Sequence, residues 1–248
     1  MVRTQTQVFQ SHSPLPGEAS GTGVGLCPKQ MENGLREGKA SMEPLTQAEK
    51  DDVRVKYYKH VHIYNKGRNE PRWRGIHLLK FPTDLILYAE KIFELKPDYI
   101  VEAGTAYGGS AMFFADMLTL SGGKKVFSID VNPKETPPHP MVEYIIGSST
   151  DMGIVAKVRD EVKNDKVMVV LDSNHSTRHV RNELRRWNHV VTPGQYMVVE
   201  DCYTRAIVPY KPFVAVEWFL GRVNNFKLDP VEERFLVAVT RHGWLRKI

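Results

Sequence analysis

Between Tyr99 and Glu200 the chain alternates short unbroken apolar runs with longer segments in which apolar side chains recur every three or four positions. The runs at 99–103, 125–130, 143–146, 167–172 and 196–200 read as buried strands, and the segments between them as helices. Such alternation predicts a parallel sheet with helices on both faces. Near the end, "FKLDPVEERFLVAVTRHGWLRKI" leaves no room for a crossover helix after Phe235, so a closing antiparallel strand or hairpin is expected. Ahead of the sheet, Thr46 and Glu49 have capping-box spacing, and Val53, Tyr57, Val61 and Tyr64 form one helical stripe, which predicts a helix over 47–64. After the polar loop "GRNEPRWRG", the segment "FPTDLILYAEKIFELKPD" predicts a second helix, with Thr83 as its cap and Pro97 as its stop. Residues 1–45 are rich in Gly, Ser, Pro, Gln and Thr, too poor in apolar side chains to bury a core. The expected organisation is a disordered tail over 1–45, an N-terminal helical segment over 46–98 and a sheet domain over 99–248.

The most informative stretch is "YIVEAGTAYGGSAMFFA", a strand, a glycine-rich turn and a helix. Gly104 and Gly109 have P-loop spacing, but Ser110 stands where the phosphate-binding lysine should be. The dinucleotide pattern fails as well, because Ala106 occupies the second glycine position, where the backbone must approach a pyrophosphate. Glu102, just before the turn, would repel a pyrophosphate and attract an ammonium or sulfonium, which favours a cationic, phosphate-free nucleoside such as S-adenosylmethionine. The next strand ends in Asp130, 22 residues after Gly108; an acid at about 20 residues from such a turn holds ribose hydroxyls in nucleotide-binding α/β folds. Taken alone, Glu102 could instead act on the helix end through its charge.

"KVMVVLDSNHS" and "YMVVEDCY" place Asp172, Glu200 and Asp201 at the carboxyl ends of neighbouring strands, where open α/β sheets bind ligands. Three clustered carboxylates repel one another unless a cation sits among them, and oxygen ligands suit Mg2+. The alternative is three acids capping strand ends in solvent. His175, three residues after Asp172, is either a general base or a loop histidine bonded to backbone. In "IIGSSTD", Ser148 and Ser149 either contact an adenine or cap the following helix.

A 42% apolar composition can build a sizeable core. No run of 18 or more apolar residues could span a bilayer, and "MVRTQTQVFQSHSP" lacks a secretory h-region, so a cytoplasmic location without membrane partners is expected. Cys27 and Cys202 form neither a disulfide framework nor a zinc spacing. The net charge of +5 resides in residues 46–248, densest at Arg178, Arg181 and Arg185. With no aromatic stacking motif beside them, these read as a solvated helix face, and nucleic acid is not an expected partner.

These residues resemble the cephalosporin hydroxylase family, S-adenosylmethionine-dependent O-methyltransferases that include rhamnosyl O-methyltransferases. The resemblance covers roughly residues 70–248 and rests on "WRGIHLLKFPTD", "VEAGTAYGGSA", "VVLDSNHS", "TPGQYMVVED" and "RFLVAVTRHGWLRK", in family order. It implies a Rossmann-like class I methyltransferase fold: a mostly parallel sheet with helices on both faces and an antiparallel C-terminal strand, preceded by N-terminal helices. It also implies Mg2+ held by Asp172, Glu200 and Asp201. The implied cofactor contacts are Glu102, Gly104, Tyr107, Gly108, Ser110, Asp130 and Ser148, with Asp172 shared between cofactor and metal. The implied reaction is methyl transfer to a hydroxyl of a small secondary metabolite or sugar, with His175 as base, and a homo-oligomer is the expected assembly. Two rivals remain: an NAD-dependent oxidoreductase, disfavoured by the missing pyrophosphate glycine, and a non-catalytic nucleoside-binding scaffold, which would have no need of the clustered acids.

Overall fold

The computed structural model describes residues 43–64, 71–202 and 212–248; most of the tail expected at 1–45 lies outside them. Leu45–Ile248 forms one compact unit. It opens with α1 (Gln47–Tyr58), continued by a π-helical turn (Lys59–Tyr64). The expected capping box is formed: Thr46 Oγ1 accepts from the Glu49 amide, and Glu49 Oε2 accepts from the Thr46 amide at 2.8 Å.

A short hairpin follows, β1 (Arg72–Trp73) and β2 (Ile76–His77), inside what the sequence presents as a polar loop. Its turn residues Arg74 and Gly75 both have positive φ, the geometry of a tight two-residue hairpin. Strands of two residues carry no readable period. Helix α2 (Pro82–Leu95) begins one residue before Thr83, which does not cap it. Pro82 takes the first helical position, where its fixed φ and missing N–H cost nothing, and the cap residue is Phe81.

The main sheet contains β3 (Tyr99–Ala103), β4 (Lys125–Asp130), β5 (Val142–Ile146), β6 (Val167–Leu171), β7 (Tyr196–Val199), β8 (Phe226–Leu228) and β9 (Trp244–Lys247), in spatial order β5-β4-β3-β6-β7-β9-β8. β3 to β7 are parallel, and β9 runs antiparallel to both β7 and β8, the closing arrangement expected from the C-terminal sequence.

Helices α3 (Gly109–Ser121), α4 (Met152–Val162), α5 (Thr177–Trp187) and α6 (Pro212–Leu220) complete the fold. One core layer packs α4, α5 and α6 against the sheet through Val158, Leu184, Trp187 and Phe219. The other packs α2 and α3 against its opposite face through Tyr88, Phe114, Leu118 and Trp244. The strand order reverses direction of travel between β3 and β6, so the loops after these two strands part and leave a crevice. Backbone bonds carry the ladder just past the strand ends: Asp172 N to Ala103 O at 2.8 Å, Gly104 N to Ile129 O at 2.8 Å and Glu200 N to Leu171 O at 3.0 Å. The acids and the glycine turn therefore share one edge. No helix among the described residues is long and apolar enough to cross a membrane.

Candidate active site

A cavity of about 900 Å³ occupies that edge. Gly104, Tyr107, Ser110, Asp130, Ser148, Asp172, His175, Glu200 and Asp201 all line it, whereas Glu102 and Gly108 lie behind its wall.

The nucleoside side begins at Gly104, whose φ is +103° and whose absent Cβ would stand 2.1 Å from the Asp172 carbonyl oxygen. Only glycine lets β3 end so close to β6. The turn that follows hangs on Asp130: its Oδ2 accepts from the Thr105 and Ala106 amides at 2.9 and 3.1 Å, and its Oδ1 accepts from Asn132 N at 2.9 Å. Ala106 has a φ of 46°, strain that this anchor sustains. Beneath the turn, Thr105 Oγ1 and Ser128 Oγ are 2.7 Å apart, and Ser128 donates to Glu102 Oε2 at 2.7 Å. Glu102 is fully buried, and its Oε1 has no hydrogen-bond partner among the described residues. Burial drives its carboxyl up to about 7 against the opposing pull of Lys80 and the hydroxyls of Ser110 and Ser128. In the loop after β5, Asp151 takes the cap of α4, accepting from the Gly153 and Ile154 amides, which leaves Ser148 and Ser149 on the cavity wall.

The acid side is held differently. His175 bridges two carboxylates, with Nδ1 at 2.6 Å from Asp201 and Nε2 at 3.3 Å from Asp172. Burial alone would lower the imidazole's value, but hydrogen bonds to Asp172 and Asp201 outweigh it and push it up to about 11. Asp172, His175 and Asp201 offer ligand atoms within 4.8 Å of one another. Asp201 has a φ of 52°, an unusual conformation at the point where three functional side chains meet.

Glu200 sits apart from that group. Its Oε1 accepts from Lys80 Nζ at 2.7 Å and from the Tyr88 hydroxyl at 2.6 Å, and Lys80 also reaches Asp172 Oδ2 at 2.8 Å. Burial raises the Glu200 carboxyl to about 7 even with Lys80 beside it. Burial pushes Asp172 the same way, but Lys80 and His175 together hold its value below normal. Lys80, Asp84 and Tyr88 recur every fourth residue, so one face of α2 and the residues before it carries a polar stripe into the core. Asp84 completes it by accepting from Val239 N at 2.9 Å and Thr240 Oγ1 at 2.5 Å. Lys80 is the residue that sequence reasoning missed. Its signal was a single lysine inside the apolar run "HLLKFP", since a charge in such a run is buried only when paired.

A seven-stranded sheet in this order, with a glycine turn after its central strand and carboxylates after its neighbours, defines a Rossmann-like methyltransferase fold. Two solved structures share it: the apo form of CmcI (24% identity, 72% of this chain and 76% of that one, TM-score 0.56) and the CmcI complex with Mg and SAM (18% identity, 94% and 89%, TM-score 0.58). Residues 65–248 match the Rhamnosyl O-methyltransferase/CmcI family, and the chain belongs to it. Among its relatives, a rhamnosyl O-methyltransferase of Mycobacterium tuberculosis (strain ATCC 25618 / H37Rv) is 34% identical over 208 residues, 78% of this chain and 82% of the relative. One from Mycobacterium leprae (strain TN) is 35% identical over 158 residues, 61% and 68% of the two chains. The protein is thus an O-methyltransferase.

Proposed function

We propose that this chain transfers the methyl group of S-adenosylmethionine to a hydroxyl of a small secondary metabolite or sugar, with Mg2+ as the second cofactor. The observation that carries the proposal is the convergence, on one cavity, of the Asp130-anchored glycine turn and the Asp172–His175–Asp201 group.

The residues present suit both groups. For the nucleoside, Asp130 retains lone pairs for ribose hydroxyls. Glu102 lies behind the cavity wall, so its unpartnered Oε1 serves as an acceptor for an ammonium only where the wall over it opens. For the metal, Asp172 and Asp201 supply hard oxygen donors on two adjacent loops, and Glu200 joins them if its carboxylate leaves Lys80. When bound, Mg2+ supplies a Lewis acid that orients the acceptor hydroxyl and lowers its pKa.

The chain's own residues do the rest. Lys80 and Tyr88 fix Glu200 and one oxygen of Asp172, so the acids present a preset geometry rather than a mobile cluster. Asp201 holds His175 through Nδ1 at 2.6 Å, which leaves Nε2, in the longer contact with Asp172, as the nitrogen free to exchange a proton. Bonded to both acids, His175 carries its proton at neutral pH. It becomes a proton acceptor only once the Nε2 proton has passed to Asp172 or to solvent, which frees the Nε2 lone pair. Tyr57, Val61, Leu79 and Phe81 line the cavity as an apolar wall against which the body of an acceptor can rest.

Calorimetry with S-adenosylhomocysteine and with NAD is the deciding test. Micromolar binding of the first and none of the second is expected, and the reverse result would overturn the reading.

A further inference from the structure

Behind Ser148 the cavity wall contains a polar group with no part in the mechanism above. Glu183 of α5 is 1% exposed, and its Oε1 accepts from two hydroxyls, Ser149 at 2.6 Å and Ser173 at 2.7 Å. His179, one helical turn earlier, places Nε2 at 3.2 Å from Ser149 Oγ and 3.1 Å from Ser173 Oγ. Ser149, Ser173 and His179 line the cavity; Glu183 stands behind them. The loop carrying Ser149 is pinned from below, because the indole of Trp187 donates to the Ser149 carbonyl at 2.9 Å.

A serine hydroxyl has one proton and two lone pairs, and an ionised carboxylate can only accept. With both serine protons committed to Glu183, the two oxygens can offer nothing but lone pairs. His179 Nε2 also stands 3.4 Å from Glu183 Oε1; as the Nε2–H tautomer it is a donor shared among the cluster that occupies one lone pair on each serine oxygen. The remaining lone pairs belong to Ser149 and Ser173 on the cavity surface. These two hydroxyl oxygens therefore accept hydrogen bonds from the cavity and cannot donate them. The pair stands past the ends of β5 and β6, on the same cavity as Asp130, and Ile129 and Val131, which flank Asp130, line that cavity as apolar contacts for a flat ring.

We propose that Glu183 makes this wall a reader of the base: it selects a purine bearing an exocyclic amine over one bearing a carbonyl at the same position. The amine donates two protons to waiting acceptors. A carbonyl there places lone pair against lone pair, with no proton available between it and the two serine oxygens. Glu183 is a positioning residue, acting through Ser149 and Ser173 without touching the ligand. The inference rests on the nucleoside reading above.

The test compares S-adenosylhomocysteine with its deaminated counterpart, S-inosylhomocysteine, by calorimetry on the full chain. Wild-type protein should bind the adenosyl compound more tightly by roughly 10- to 100-fold, the usual cost of one buried polar mismatch. Glu183→Gln, with its amide nitrogen at the position of Oε1, donates to the serines and frees their protons for the cavity. The preference should fall to about threefold or less, with part of the change a gain for the inosyl compound. A merely structural Glu183 would weaken both ligands alike. If Glu183→Gln does not fold, Ser173→Ala, which removes one acceptor and leaves Ser149 bonded to Glu183, should narrow the preference in the same direction. Equal binding of the two compounds by wild type, or an undiminished preference in the variants, overturns the role of Glu183 while S-adenosylmethionine use stands. Wild-type protein that binds neither compound overturns the nucleoside reading, and this inference with it.

Discussion

At the β3–β4–β5 end of the cavity the wall is shaped mostly by backbone amides and by side chains on adjoining strands. At the β6–β7 end it is held by ion pairs whose partners lie 92 and 120 residues apart, as in Lys80–Asp172 and Lys80–Glu200. The first kind of wall keeps its shape whatever occupies it, because three backbone N–H groups already anchor Asp130. The second is a set of charges balanced against one another: two cations, Lys80 and His175, stand among three carboxylates. A cavity built this way separates tasks. One half binds by fixed geometry, and the other has charges to redistribute when a cation or an acceptor hydroxyl arrives.

Removing the metal should break the comparison most completely. Chelated enzyme should lose methyl transfer to the background rate, recover it on addition of Mg2+, and keep its calorimetric affinity for S-adenosylhomocysteine throughout, since the half that holds the metal does not bind the nucleoside. Full activity after chelation would sink the metal assignment.

Next in size is Lys80→Met. Deleting one partner of a buried ion pair leaves uncompensated charge and costs about 3 to 5 kcal/mol. Here both Asp172 and Glu200 lose their cation, and Lys80 is itself almost fully buried. Urea denaturation should show a loss of that size, and Lys80→Met with Glu200→Gln should regain part of it. If the single variant is as stable as wild type, the acid half is not held by Lys80.

The same contrast governs what the sequence discloses. Strand ends, the glycine turn and the acids after β6 and β7 are local patterns, and each strand lies within a residue or two of its apolar run. The Thr46–Glu49 capping box is equally local and equally legible. Thr83 misleads because Ser and Thr propensity for caps competes with Pro82, whose ring dictates the first helical position. The partner of Glu200 cannot be read from a run of residues at all. Three adjacent-strand acids look like one cluster until the fold delivers a lysine 120 residues away to divide them. Likewise, Ser149, Ser173, His179 and Glu183 become a unit only when two loops and a helix meet, and no spacing along the chain announces it.

A titration sharpens the comparison from the nucleoside half. Burial raises the Glu102 carboxyl from 4.5 to about 7, so the folded state favours its protonated form. Its contribution to stability is whole below pH 4.5 and is lost as the pH climbs to 7, a change of roughly 3 kcal/mol. Glu102→Gln cannot titrate, so its stability should fall less steeply across that window. Urea midpoints measured at several pH values between 4.5 and 7.5 decide the matter. Parallel curves for the two proteins would show that Glu102 has an ordinary value and that the orphaned oxygen is not a reserved acceptor.

The smallest expected effect separates anchor from ligand contact at Asp130. Asp130→Ala removes the acceptor of the Thr105, Ala106 and Asn132 amides and the proposed partner of the ribose at once, and should weaken S-adenosylhomocysteine binding by about 1.5 to 3 kcal/mol. Asp130→Asn keeps one carbonyl oxygen, enough to accept from Thr105 and Ala106, but it loses the charge and one acceptor. If Asp130 serves only as the anchor of the turn, the Asn variant binds like wild type. If it also holds the ribose, the Asn variant falls between the other two, because an amide is a weaker acceptor for two hydroxyls than a carboxylate. Neither change should alter the stability contributed by Lys80, since the ion pairs at the β6–β7 end share no hydrogen bond with Asp130. A loss of the Lys80 contribution in Asp130→Ala would mean that the two halves of the cavity are one cooperative unit after all.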